Sequence, residues 1–155
     1  MATISRVPAA VDALLTILRA APGLADVRIV DGPAAVNLTE RHRLYIGWQP
    51  GAEAAVDLVQ NFNAAGARTR DENFAIACYA ESRAGDKDMA LRRARVFAIL
   101  GEVENALRAT DAAPEAPTLN GTVQWAHLTA GSLIQDQDQG AIAGLPFTVA
   151  CHARI

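Results

Sequence analysis

A chain of 155 residues, 51% hydrophobic and 20% charged, fits one globular domain over residues 1–155 and excludes a disordered protein. At this size folding buries roughly 68–70% of the surface exposed by the unfolded chain, so a core needs neither disulfides nor metal. A formal net charge of −3 excludes a protein built to neutralise nucleic-acid phosphates, and it is too mild for an acidic tail.

The first predicted element is a helix. Pro8 suits its first position, Val7, Val11, Leu14, Leu15 and Leu18 recur at helical spacing, and Pro22-Gly23 ends it. A short strand follows at about 27–30, closed by Asp31-Gly32-Pro33. After an aperiodic loop, Arg43-Leu44-Tyr45-Ile46-Gly47-Trp48 reads as a second strand with Leu44, Ile46 and Trp48 on one face. Residues 51–66 are ambiguous: Ala54, Ala55, Leu58 and Val59 fit a short helix, whereas Asn61, Asn63 and Gly66 read as loop. A third strand is expected over about 68–81, with Phe74, Ile76 and Cys78 facing one way and Asn73, Ala75, Ala77 and Tyr79 the other.

The second helix is expected from Asp86 to Arg108, about 34 Å at 1.5 Å per residue. Met89, Val96, Phe97, Leu100, Val103 and Leu107 form its apolar face, and Arg92, Arg93, Arg95, Glu102 and Glu104 its polar face. A two-proline linker, 111–117, leads to a hairpin with arms at roughly 121–134 and 147–155, joined by a polar segment, 135–140, expected to be mobile at its tip. The last arm alternates to the final residue, which would lock the C-terminus into a sheet. The order α-β-β-β-α-β-β implies an α+β fold: one mainly antiparallel sheet of about five strands, with two amphipathic helices on one face. No internal repeat is present.

Lys87 is the only lysine among the basic residues and alanine is abundant, a bias that a GC-rich genome imposes through its codons. The N-terminus lacks the apolar run of a signal peptide, and no apolar stretch reaches the roughly 18 residues that span a bilayer. The expectation is a soluble protein made in the cytoplasm, without membrane contact.

Chemistry-bearing motifs are absent. Gly23, Gly32 and Gly47 are isolated turn glycines, and there is no Gly-x-Ser-x-Gly, His-Glu-x-x-His or Cys-x-x-Cys. Cys78 and Cys151 sit in apolar alternating runs and read as buried free thiols; a bridge would require adjacent strands. Cys78, His127, Cys151 and His152 are the conceivable metal donors, but consecutive strand residues such as Cys151 and His152 face opposite ways, so at most three converge. A Cys–His nucleophile would need a cleft and an orienting group that nothing in the sequence places. No catalytic, cofactor or metal residue is assigned, and no enzyme is expected.

The charged clusters bear on assembly. Arg92, Arg93 and Arg95 read as a solvated helix face, with Asp88 pairing to Arg92, or as a contact with a neighbouring subunit. Arg68, Thr69, Arg70, Asp71 and Glu72 open the third strand as an exposed strand end or an inter-subunit salt bridge. Asn120-Gly121 marks a turn. Trp48 and Trp125 suit core packing or an interface anchor.

The initial helix with its Pro-Gly stop, the long arginine-bearing helix and the terminal hairpin occur together with Arg43-Leu44-Tyr45-Ile46-Gly47-Trp48, Glu72-Asn73-Phe74-Ala75-Ile76-Ala77-Cys78-Tyr79 and the run from Phe147 to Ile155. Over nearly its whole length the chain resembles the tail terminator and minor tail proteins of actinobacterial siphophages and prophages. The resemblance implies a virion protein forming a hexameric ring, which caps the tail tube, ends its growth and joins it to the head–tail connector. The implied partners are further copies of the chain, the tail tube protein and the connector proteins. DNA would pass through the lumen without specific binding, past a ring of six copies at −3, or −18 in all.

A closed ring needs a heterologous interface. Residues 31–42, 49–66 and 135–140 are expected to make inter-subunit, tube or connector contacts, with Asp136 and Asp138 in the last and Arg68, Arg70, Asp71, Arg92, Arg93 and Arg95 as further interface candidates. The alternatives are a neck or head-completion protein of the same fold group, a small-ligand-binding α+β domain and, behind these, an enzyme using Cys78, His127 and Asp residues.

Overall fold

The computed structural model describes residues 4–34, 38–66, 68–137 and 139–155. Its helices are α1 (Val7–Ala20) and α2 (Met89–Ala106), and its strands are β1 (Arg28–Asp31), β2 (His42–Ile46), β3 (Val56–Phe62), β4 (Arg70–Arg83), β5 (Trp125–Gly131), β6 (Ile134–Gln137) and β7 (Ala141–Arg154). The fold is α+β, with both helices over one face of a seven-stranded sheet.

Strands β4 and β7, each 14 residues long, form the antiparallel spine from Asp71–Arg154 to Arg83–Ile142. One edge of β4 carries β2 and β3 in succession, and the far edge of β7 carries β6 and β5. Among the described residues only the β1–β2 pair is parallel. The two ends of the sheet differ in width. The row Arg28, Arg43, Glu81, Gly144, Ile134 crosses five strands, β1-β2-β4-β7-β6. The row Asp57, Ala75, Ala150, His127 crosses four, β3-β4-β7-β5.

Alternation along the spine builds the core. Phe74, Ile76, Cys78 and Ala80 of β4 join Leu145, Phe147, Val149 and Cys151 of β7, beneath Leu14 and Leu18 of α1 and Val96, Ile99 and Val103 of α2. Each fully buried leucine, valine, isoleucine or phenylalanine contributes about 1.5–3 kcal/mol relative to exposure. Just past β7, Ile155 and Arg70 exchange backbone hydrogen bonds of 2.9 and 2.7 Å.

Several expectations are corrected. Residues 56–62 are a strand, neither helix nor loop: β4 supplies a full antiparallel partner, which overrides the local helical spacing. The first half of the hairpin's connecting segment is strand, since Gln135–Gln137 belong to β6 and β7 begins at Ala141; the first arm divides into β5 and β6. The sheet therefore has seven strands rather than five, in the order α-β-β-β-β-α-β-β-β. Trp48 does not share the face of Leu44 and Ile46. Gly47 takes φ +79°, which breaks the alternation and turns Trp48 onto Tyr45 and Tyr79, with ring centroids at 4.9 and 5.9 Å.

On α2 the buried residues are Arg92, Val96, Ile99 and Val103, while Phe97 is 46% exposed. The apolar face is rotated from the expected one. Pro8 stands second in α1, whose first residue is Val7. Strands β4 and β7 are adjacent, yet Cys78 lies opposite Phe147 and Cys151 opposite Phe74. That four-residue offset of about 13 Å is too far for a disulfide, and both thiols are free and buried.

Candidate functional site

The arginine cluster of α2 does not form one solvated face. Arg92 is 6% exposed and donates from Nη1 to Ser82 Oγ at 3.0 Å, and its Nε lies 3.8 Å from Asp86 without a hydrogen bond. It does not pair with Asp88, whose carboxylate instead caps the helix by accepting Leu91 N–H. The burial follows from position: Arg92 precedes Val96 by one turn and shares its core-facing stripe. His42 lies 3.1 Å from the same Ser82 hydroxyl. Burial, then the charge of Arg95, holds its imidazole below the ordinary histidine range. Arg95 pairs with Asp26, and Arg93 donates to Gln135 of β6 at 2.7 Å. Within one chain all three arginines therefore have partners, which tie α2 to the sheet and to the turn after α1.

A second cluster lies at the four-strand end. Glu72, wholly buried, accepts from Ser5 Oγ, Arg6 N and Gln60 Nε2 at 2.7, 2.7 and 2.6 Å. Burial alone would raise its pKa; the hydrogen bonds from Arg6, Gln60 and Ser5, with the charge of Arg70, outweigh it and hold the carboxylate below its ordinary value. On the opposite face Asp71 accepts from Arg154 at 3.0 Å and from Asn63 at 3.1 Å. The Arg154 bond leads in holding the Asp71 carboxyl below its ordinary value. Arg70 is half-buried and Arg68 exposed. Asp136 is exposed on β6, at the five-strand end, and Asp138 lies outside the described residues. The seven described candidates therefore do not converge on one patch.

The helix-free face of the sheet carries two aromatic groups. Tyr45, Trp48 and Tyr79 pack together, and Trp125 lies between His127 and His152, with centroid distances of 4.8 and 5.6 Å. The cysteines belong to the other face, beneath the helices, so backbone separates Cys78 and Cys151 from His127 and His152. Burial pushes both thiols up to about 12. Among the described residues, no group of three metal-ligating side chains comes together. No helix among them is long and apolar enough to cross a membrane.

What the surface does offer is sheet edge. Among the described residues the outer edges of β1, β3, β5 and β6 have no partner strand. Exposed apolar side chains lie on or beside three of them: Leu58, Val59 and Phe62 on β3, Trp125 on β5, and Leu133 and Ile134 at β6. Such edges template pairing with another chain. A groove of about 590 Å³ also opens between the C-terminal halves of α1 and α2, lined by Ile17, Ala21, Pro22, Ala106 and Ala113, with Glu102 and Arg108 among its polar residues.

No family model matches the chain, and no curated protein does. Among solved structures it is similar to a chain of the virion of a native gene transfer agent particle, at 10% identity and a TM-score of 0.65. The likeness covers 99% of this chain and 100% of that one. At that identity it establishes a shared fold.

Proposed function

We propose that this protein is a structural component of a phage-like virion, and more narrowly a tail terminator. In this reading six copies close into a ring that caps the tail tube, ends its polymerisation and meets the head–tail connector. It acts by matched surfaces, without making or breaking covalent bonds, and DNA passes through its lumen. The observation that carries the reading is the end-to-end fold likeness to a virion chain, with neither partner leaving a domain unmatched. The open edges and their exposed apolar residues supply surface for the heterologous contacts of a ring.

Electron microscopy of particles lacking the protein tests this. Abnormally long or headless tails are expected; filled heads on tails of normal length would refute it. The same fold likeness accommodates the neck or head-completion alternative, and loss of head joining with normal tail length would favour that role. The apolar groove between the helices favours a second reading, a site for a small apolar ligand. Saturable binding by a chain that stays monomeric would support it.

A further inference from the structure

We infer that neighbouring copies join by continuing the sheet, with the free edge of β6 in one copy pairing antiparallel with the free edge of β1 in the next. The inference rests on the ring reading and names its joint. Strand direction permits it: β6 runs with β4 and β1 against it, so translation around a ring sets the two edges antiparallel. Height permits it as well, since Arg28 and Ile134 end the same five-strand row.

Register then selects one alignment. A slip of one residue would turn every side chain to the wrong face, so only even slips are allowed. With no slip, the exposed Arg28 meets the apolar Ile134. A slip of two residues, about 6.7 Å, sets Arg28 opposite Asp136 and Val30 opposite Ile134, all on the helix-free face. The opposite slip sets Asp26 against Ile134. The first two-residue slip is the alignment that matches charge with charge and apolar with apolar, and closed sheets require such a stagger. Among the described residues of its own copy Arg28 has only a distant contact, 3.9 Å, with Glu40, while Asp136 accepts from the neighbouring Gln137 N–H; both side chains are exposed. Ile134 is 48% exposed, an apolar side chain that the joint would cover.

Paired cysteines test the joint in the full chain. In this register the Cβ atoms of Val30 and Ile134 would stand about 5 Å apart across the two copies. Val30→Cys with Ile134→Cys should give a ladder of disulfide-linked multimers on mild oxidation, while each single variant gives none. Arg28→Asp or Asp136→Arg alone should weaken self-association at least tenfold by sedimentation velocity, and the double exchange should restore it. A disulfide dimer from either single cysteine variant would overturn the head-to-tail pairing. Closed oligomers unaffected by the charge changes, with no ladder, would overturn the joint and leave the ring reading standing. A chain that stays monomeric at every concentration and yields no ladder would count against both. Circular dichroism of each variant separates lost association from lost folding.

Discussion

Glu72 caps the start of α1 from another element: one carboxylate oxygen accepts the backbone N–H of Arg6 at 2.7 Å, and the other accepts Ser5 Oγ at 2.7 Å. The negative charge also lies at the positive end of the helix. Glu72→Ala should cost about 2–3 kcal/mol in chemical denaturation, because it removes a charged acceptor from three donors on half-buried residues. Glu72→Gln, which keeps one acceptor oxygen, should cost less.

The same carboxylate sets an acid limb. Its folded pKa lies below the ordinary value, so its contribution is fully present above the unfolded glutamate pKa of about 4.3. It is lost as pH falls through the lower folded value. Glu72→Gln should flatten the fall in melting temperature over that interval. A variant as acid-sensitive as the parent would show that other carboxylates govern the limb.

Ser82 serves two partners, Arg92 Nη1 and His42 Nδ1. Ser82→Ala should therefore destabilise by about 1–3 kcal/mol. Arg92→Met, which removes the buried charge and fills similar volume, should stay within about 1 kcal/mol of the parent. Urea unfolding of both variants checks the order, and a larger loss for Arg92→Met would contradict it.

Gly144 is required by Tyr79. A Cβ built there would lie 2.1 Å from the Tyr79 hydroxyl oxygen, and the tyrosine ring is packed against Tyr45 at 5.9 Å. Gly144→Ala should cost about 1–3 kcal/mol through forced repacking, measured as a fall in melting temperature with changed near-ultraviolet dichroism.

The thiols should be silent in the native protein. Both are buried with pKa values pushed up to about 12, so little thiolate exists at pH 8. A thiol reagent should titrate neither cysteine in the native state and both in denaturant. Rapid native reaction would show that β4 and β7 open readily.

Strict alternation made the spine readable: Phe74, Ile76 and Cys78, and Phe147, Val149 and Cys151, announce their buried face in one dimension. Strand β3 was not readable, because Leu58 and Val59 are both exposed on an edge and no period marks a buried face. Arg92 was placed on the polar face because its partners, Ser82 and Asp86, become neighbours only through packing. Glu72 sits in a run of charged residues that reads as a solvated strand end; two of its three hydrogen-bond partners, Ser5 and Arg6, lie more than sixty positions away. Of the interface candidates, Asp136 lies on a free edge, and Arg93 and Arg95 hydrogen-bond to Gln135 and Asp26 of their own chain, partners that no local pattern reveals.

The unequal width of the sheet has a consequence for any belt of copies. Where the broad rims meet, through strands β1 and β6, the narrow rims fall short of each other by one strand's breadth, about 4.8 Å beyond normal spacing. Each seam is then notched on one side of the belt, between the β5 margin of one copy and the β3 margin of the next, and the notch is flanked by Trp125, Val59 and Phe62. The two rims of such a belt cannot be equivalent, and a polymer that stacks on one of them meets a different outline on the other.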